Sequence, residues 1–455
     1  MKKFRIEKDA LGKINVPKDA YYGIETQRAI NNFPISGQIP YQEYTFALVL
    51  IKKAAAKVNY ELKLLDKKLS QTIIAACNEI LSGKFSDQFV VDPYQAGAGT
   101  SQHMNINEVI ANRANEILGA KLGIYRFIDP HDHVNMSQST NDVIPTAIRL
   151  SALKLIPLLI SNLKGLINAF SDKEQKFSKL IKTGRTHLQD ALPVTLGQEF
   201  SGYKTAIIND LNRIDQAKVS LLRIGIGGTA VGTGINTHPR YKAMMIKELS
   251  SLTAFHLISP DNLFESMQNT ADFLHLSAAL RTLAQTLIRI GNDLRLLSSG
   301  PSGGIAEIKL PPVQEGSSIM PGKINPSIVE MLTMVCFQVI GLDQTILLSS
   351  MSGQLELNIF LPLIAHNILT QIKFLTNAIE VFTKKCVIGI EANDNMCKNW
   401  FEKSTGVAAV LNPKLGYRKT AELVKKSLAK GIPIRNLVRN KKIFSPSSLT
   451  TPNIK

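Results

Sequence analysis

Apolar residues recur along the second half of the chain at alternating steps of three and four. Leu276, Leu280, Leu283, Leu287, Ile290, Leu294 and Leu297 form one such series. Ile328, Leu332, Val335, Val339, Leu342 and Ile346 form a second, and Leu361, Ile364, Ile368, Ile372, Leu375, Ile379 and Phe382 a third. A stripe of this period runs along one face of an α-helix and is buried when neighbouring helices cover it, as in a bundle. Segments 143–178 and 194–222 extend the pattern, the first with an interruption expected at Pro157. Helices of up to about thirty residues exceed the usual mean of about a dozen, which predicts a bundle shared between subunits. The stripes are core, not cofactor boxes.

Polar, glycine-rich clusters separate these helices, at 93–107, 131–142, 183–190, 225–239 and 299–326. Before residue 140 the pattern mixes short helices with a small strand pair, Arg5-Ile6-Glu7 and Ile14-Asn15-Val16-Pro17. After 392 the periodicity shortens, and 445–453 is turn-rich and expected to be poorly ordered. No internal repeat is present. The expected architecture is mostly α in three parts: a mixed N-terminal domain over 1–140, a central long-helix bundle over 141–392, and a small C-terminal helical domain over 393–455. A chain of 455 residues is too long for one common core, which agrees with this division.

Composition narrows the class. Cys77, Cys336, Cys386 and Cys397 are widely spaced with no C-x-x-C pair, against a disulfide framework or a zinc site and in favour of a reducing compartment. The start, Met1-Lys2-Lys3-Phe4-Arg5-Ile6-Glu7, has basic residues but no following apolar region, so no signal peptide is expected. No window of about 18 uncharged apolar residues is present, so no membrane span is expected. The reading is cytoplasmic. The net charge of +17 could steer acidic substrates or polyanions; a lysine-rich composition spread over solvated faces is the favoured expectation. No basic run is interleaved with aromatics, so nucleic-acid binding is not expected.

The most reactive cluster is Gly316-Ser317-Ser318-Ile319-Met320-Pro321-Gly322-Lys323-Ile324-Asn325-Pro326. It combines two hydroxyls, an ammonium and an amide in a loop stiffened by proline, just before a helix that begins near Ser327. Asn325 suits the N-cap of that helix and Pro326 its first position, which places the loop at a positive helix end. Gly97-Ala98-Gly99-Thr100-Ser101 lacks the lysine of a phosphate loop and fits a hydroxyl turn that binds a carboxylate. Ser137-Gln138-Ser139-Thr140-Asn141-Asp142 reads as a capping segment with Asp142 as N-cap, plus surplus donors for a ligand. Thr183–Asp190 sets His187 in a polar turn between Thr186 and Gln189. His131-Asp132-His133 lacks a second ligand pair, so it reads as surface loop and no metal site is expected. Gly227–Gly234 is a weak dinucleotide lookalike with no preceding strand.

Taken together, these clusters resemble the aspartase/fumarase superfamily from about residue 4 to residue 437. The loop at 316–326 is similar to its signature, and 97–107, 137–142 and 184–190 match its other shared regions in order. Within it, Asp87-Gln88-Phe89-Val90-Val91-Asp92-Pro93-Tyr94-Gln95-Ala96-Gly97-Ala98-Gly99-Thr100-Ser101 and Ser139-Thr140-Asn141-Asp142 resemble aspartases, where fumarases carry Trp-Gln-Thr-Gly-Ser-Gly-Thr and Ser-Ser-Asn-Asp. Tyr21–Thr26 and Gly353–Asn358 also resemble aspartases, whereas Gly184–Gln189, Ala230–Pro239 and Glu330–Cys336 look fumarase-like. The residues nearest the leaving group weigh most. The expectation is therefore an ammonia-lyase acting on L-aspartate; the alternatives are a class II fumarate hydratase and a catalytically silent helical scaffold.

The resemblance implies that Ser317 is the base that takes the proton next to the β-carboxylate. Thr100, Ser139, Thr140 and Ser318 would donate to that carboxylate, Ser101 would also contact substrate, and Lys323, Asn325 and Thr186 would hold the α-carboxylate. Asn141 and His187 would contact the amino group, with Glu330 pairing to the histidine of another subunit. From residue chemistry alone His187 is the better base and Ser317 a carboxylate donor; the resemblance reverses that order. It further implies a homotetramer with a twenty-helix core, sites shared among three subunits, and no cofactor, with activation by a divalent cation left open. Four departures stand out: His103 where asparagine is usual, Ser302 where arginine is usual, Asp129 where fumarases open a second anion site with histidine, and a short basic stretch at 438–455.

Overall fold

In the computed structural model the described residues are 4–439. The tail expected at 445–453, and nearly all of the basic stretch after 438, lie outside them. The helices are α1 (Ile24–Asn32), α2 (Gln42–Glu61), α3 (Lys67–Leu81), α4 (Thr100–Ile117), α5 (Thr140–Lys176), α6 (Leu196–Ser220), α7 (Tyr241–Thr253), α8 (Leu263–Gln268) and α9 (Ala271–Leu297). They continue as α10 (Ser327–Met351), α11 (Leu361–Lys385), α12 (Asp394–Lys403), α13 (Asn412–Leu415), α14 (Tyr417–Lys430) and α15 (Ile434–Arg439). Strands pair antiparallel in twos: β1 (Phe4–Asp9) with β2 (Gly12–Pro17), β3 (Ile181–Thr186) with β4 (Gln189–Thr195), and β5 (Ile308–Lys309) with β6 (Glu391–Ala392). The first pair is the one expected, with Arg5 opposite Val16 and Ile6 opposite Asn15. No parallel sheet occurs among the described residues, so Gly227–Gly234 lacks the strand a dinucleotide loop needs.

Two compact units form. The first comprises the chain up to Ile160 with Asn212–Thr282 and Phe337–Leu375; the second comprises Ser161–Leu211, Leu283–Cys336 and the described chain from Thr376. In the first, Leu48 and Ile51 of α2, Ile73 and Ile80 of α3, and Val109 and Ile110 of α4 are fully buried. In the second, Phe170, Phe177, Phe200 and Tyr203 interlock with ring centroids 5.4–6.1 Å apart. The seams on α9 and α11 are buried at every expected position.

Two expectations change. α5 runs unbroken through Pro157, and also through Pro145. A proline forfeits one backbone bond, but its φ is already helical. Pro157 lies on the exposed side, while Ile156 and Leu159 beside it remain buried. On α10 the buried stripe is Val329, Leu332, Cys336, Val339, Asp343 and Ile346, so the expected seam is rotated by about one residue. Ser277 Oγ and Arg281 Nη1 donate to the Asp343 carboxylate at 2.7 and 3.0 Å, which is why a charged residue occupies an inward position. The opposite face of α10 carries Met334, Phe337, Leu348 and Met351 at 60–72% exposure. By length and composition α5 and α10 could each cross a membrane, although neither offers the long uncharged window sought in the sequence. The most apolar stretch of α5 is 72% buried in the fold, against 33% for α10.

Candidate active site

In the first unit two helix N-termini and a glycine-rich loop converge. Gly99, at φ +94°, turns the chain so that Thr100 opens α4. Ala98 N donates to the Ile359 carbonyl at 2.8 Å and seats the turn. Thr100 is exposed and Ser101 half-buried, and neither hydroxyl has a hydrogen-bond partner among the described residues. Both stand at a positive helix end, where an anion is favoured.

α5 opens on Thr140, with Ser139 rather than Asp142 as its N-cap. Ser139 Oγ accepts from Asn141 N at 3.2 Å, and the Asp142 carboxylate reaches back to Ser139 N at 3.0 Å. That is a reciprocal capping box, which places the acid three residues into the helix. The other Asp142 oxygen accepts from Gly227 N at 2.9 Å and Thr229 N at 3.1 Å. Asn141 Nδ2 donates to the Ala230 carbonyl at 2.8 Å. The glycine-rich loop, no nucleotide site, is therefore held against the Ser139–Asn141 cluster.

Burial pushes the Asp142 carboxyl up to about 6, with three N–H donors opposing the shift. The folded state then holds its proton more tightly than the unfolded chain does. Stability from this group is complete below pH 3.8 and is lost as pH rises through about 6, amounting to about 3 kcal/mol. Asp142→Asn is expected to remove this slope. It would also cost about 1–3 kcal/mol above pH 7, because an amide nitrogen must face one of the three donors. Denaturant unfolding between pH 4 and 8 measures both effects.

One contact was not legible in the sequence. His103 is buried one turn into α4, and its Nδ1 lies 2.8 Å from Thr140 Oγ1. Its Nε2 meets Nζ of Lys52, a lysine with no exposed surface on α2, and Lys52 also donates to Asn135 Oδ1 at 2.9 Å. Burial lowers both basic groups well below their ordinary values. A lysine placed among Val49, Ile51 and Ala54 was the available signal.

In the second unit Thr186 ends β3, and His187-Leu188 is the two-residue turn to β4, with φ values of +55° and +58°. That turn favours Asn-Gly; His and Leu adopt it at a cost of order 1–3 kcal/mol each, the kind of strain that collects at functional sites. Both side chains are exposed. The hairpin rests on Glu307, which is fully buried and receives Lys182 Nζ at 2.9 Å and Arg185 Nη1 at 3.0 Å. Lys182 also pairs with Glu199 at 2.6 Å.

The loop at 316–326 closes on itself. Gly316 N donates to the Lys323 carbonyl at 2.8 Å, and Asn325 Nδ2 donates to the Gly316 carbonyl at 2.8 Å. A Cβ on Gly316 would sit 2.4 Å from the Lys323 oxygen, so only glycine fits. Asn325 is thus a loop clasp rather than an N-cap; the Pro326 carbonyl accepts the first bonds of α10, from Val329 N and Glu330 N at 3.0 Å. Ser317 is half-buried, and its Oγ accepts from Ile319 N at 3.2 Å and Met320 N at 3.1 Å. Two N–H groups aimed at one hydroxyl oxygen would stabilise it as an alkoxide. Ser318 and Lys323 are exposed, and Ile319 at the tip is 82% exposed. Lys323, Asn325 and Glu330 line a cleft of about 780 Å³ with Arg295 and Lys309, a basic wall suited to a carboxylate. Among the described residues no group of three or more His, Cys, Asp or Glu side chains could hold a metal ion.

The geometry thus gathers Thr100, Ser101, Ser139, Thr140 and Asn141 in one unit. Ser317, Ser318, Lys323, Asn325 and Glu330 on the loop and α10, and Thr186 and His187 on the hairpin, belong to the other. Comparison with known proteins bears on what they do. The family described as Lyase matches residues 12–341. The aspartate ammonia-lyase of Bacillus subtilis (strain 168) is 46% identical over 448 residues, 98% of this chain and 94% of that protein. The class II fumarate hydratase of Nitrosomonas europaea is 44% identical over 94% of this chain and 93% of its own length. The cobalt-bound crystal structure of a fumarate lyase:delta crystallin from Brucella melitensis superposes with a TM-score of 0.95, at 46% identity and 98% coverage of both chains.

Proposed function

The chain belongs to this lyase family, and from that premise we propose that it is an aspartate ammonia-lyase, converting L-aspartate reversibly to fumarate and ammonia. The observation that carries the reading is the near full-length match to aspartate ammonia-lyases. The class II fumarate hydratase is almost as similar, so it remains the second reading. The residues around the leaving group favour the first: Ser139-Thr140-Asn141-Asp142, and Gln95-Ala96-Gly97 ahead of Thr100.

The difficult step is removal of a weakly acidic proton beside the β-carboxylate, which leaves a doubly charged aci-carboxylate. Fixed donors at the site of that charge are the strongest stabilisation a protein can offer such a state. Ser317, as an alkoxide, takes the proton; the N–H groups of Ile319 and Met320 support that state. Thr100, Ser101, Ser139, Thr140 and Ser318 hold the aci-carboxylate from two helix N-termini and the loop. Lys323, Asn325 and Thr186 hold the α-carboxylate, and Asn141 and His187 the amine. Collapse of the dianion breaks the C–N bond, and the –NH₃⁺ group leaves as ammonia with the bonding pair. Every step is assigned to side chains, with no organic cofactor.

We further propose a homotetramer whose sites draw on three subunits, with Glu330 supporting His187 of another chain. Met334, Phe337, Leu348 and Met351 support it, because an exposed stripe at helical spacing needs a cover. Phe337→Lys combined with Leu348→Lys is expected to yield smaller, inactive species by light scattering; an active monomer would refute shared sites. The four buried free cysteines suit a cytoplasmic enzyme. The activity itself is tested by measuring ammonia and fumarate released from L-aspartate, which must appear in equal amounts.

A further inference from the structure

We propose that Lys52 and His103 are positioning residues that commit the Thr140 hydroxyl to donate its hydrogen to the substrate's β-carboxylate. Burial opposes the charge on Lys52 and the Asp142 carboxylate favours it; as an ammonium it can only donate. Lys52 Nζ lies against His103 Nε2 and donates to Asn135 Oδ1 at 2.9 Å, so opposite the ammonium form Nε2 accepts. A neutral imidazole that accepts at Nε2 carries its proton on Nδ1. Nδ1 lies 2.8 Å from Thr140 Oγ1, which therefore accepts from it. The threonine hydrogen is left with no partner in this chain of bonds and is free to point outward from the start of α5.

The reverse order would disable the site. With Nε2 protonated, Nδ1 would accept from Thr140, and the hydroxyl would present only lone pairs to an incoming carboxylate. Two features hold the productive order. Burial keeps the imidazole neutral, with Lys52 beside it acting in the same direction. Burial opposes the charge on Lys52 and the negative charge of Asp142 favours it, so the productive order holds in the form that keeps the ammonium. The inference rests on the reading that Thr140 binds the substrate carboxylate, and it goes beyond that reading by naming what orients Thr140.

The test is a double-mutant cycle on fumarate formation, using Thr140→Val, His103→Leu and the combination, with His103→Asn as rescue. Thr140→Val is expected to lower kcat by roughly 10²-fold or more, as loss of one oxyanion donor does. His103→Leu is expected to lower kcat roughly 10–100-fold with little change in KM, as loss of an orienting partner does. In the Thr140→Val background His103→Leu should then have almost no further effect. His103→Asn, whose amide can accept from Lys52 and donate to Thr140, should restore most of the loss. Independent, multiplicative effects, or loss in KM alone, would overturn the proposal. If Thr140→Val left turnover unchanged, the assignment of Thr140 to the site would fail instead, so the two failures are distinguishable. Should His103→Leu not fold, His103→Asn and His103→Gln in both Thr140 backgrounds complete the cycle.

Discussion

Ser317→Ala is expected to reduce fumarate formation from L-aspartate roughly 10³-fold, the size of effect seen when a positioned general base is lost. Binding of an unreactive dicarboxylate such as succinate, followed by calorimetry, should survive. The separation follows from how the loop is built. Its closure depends on Gly316 N to the Lys323 carbonyl, Asn325 Nδ2 to the Gly316 carbonyl and Lys323 N to the Met320 carbonyl at 3.3 Å. None of these uses the Ser317 hydroxyl. Alanine would leave Ile319 N and Met320 N facing solvent near an exposed tip, at small cost. Lys323 would still face the basic cleft and bind a carboxylate. Near-normal turnover would move the base to His187, the choice that residue chemistry alone favours. Loss of binding together with turnover would make Ser317 a carboxylate donor instead.

Glu307→Gln is expected to have the largest effect on stability, about 3–5 kcal/mol, because it strips the shared counter-charge from two cations. Glu307 is fully buried, and the Lys182 side chain is only 1% exposed. The amide keeps the shape but cannot neutralise Lys182 and Arg185, and its nitrogen must face one of them. Glu199, the remaining partner of Lys182, is itself half-buried and held above the usual carboxylate range by desolvation, so it compensates poorly. β3 carries these cations and leads directly into Thr186 and His187. Turnover should therefore fall along with unfolding free energy measured in urea. Glu199→Gln, which leaves Glu307 in place, should cost less. A Glu307→Gln protein with an unchanged urea midpoint would show that the network does not support the hairpin.

Much of the fold was legible because burial selects one helical face. α9 and α11 are buried at every seam position read from the sequence, and the strand pair at the start follows from its local pattern. The seam on α10 differs by about one residue because both its faces are apolar, and periodicity cannot choose between a face covered within the chain and one left exposed. Asp343 marks the inner face, but only its contacts with Ser277 and Arg281 reveal that. The catalytic loop and the helix after it were placed by composition, whereas neither Asn325 nor Asp142 is the cap its residue type suggests. Capping preference names the residue type, and long-range donors decide which group it serves. Gly316 O captures Asn325, and Gly227 N and Thr229 N capture Asp142. The Lys52–His103–Thr140 chain was invisible because its members lie on three elements and only the fold brings them together.

The central claim is that the leaving group is ammonia and not water. It is tested most directly by fumarate absorbance recorded in parallel from L-aspartate and from L-malate, with the same purified enzyme under the same conditions. Rapid, saturable production from aspartate, with malate slower by orders of magnitude, is the expected result. Fumarate formed from malate alone would contradict the assignment and make the chain a hydratase. Formation from neither would leave an intact constellation of Ser317, Lys323, Asn325 and His187 without the chemistry argued for it.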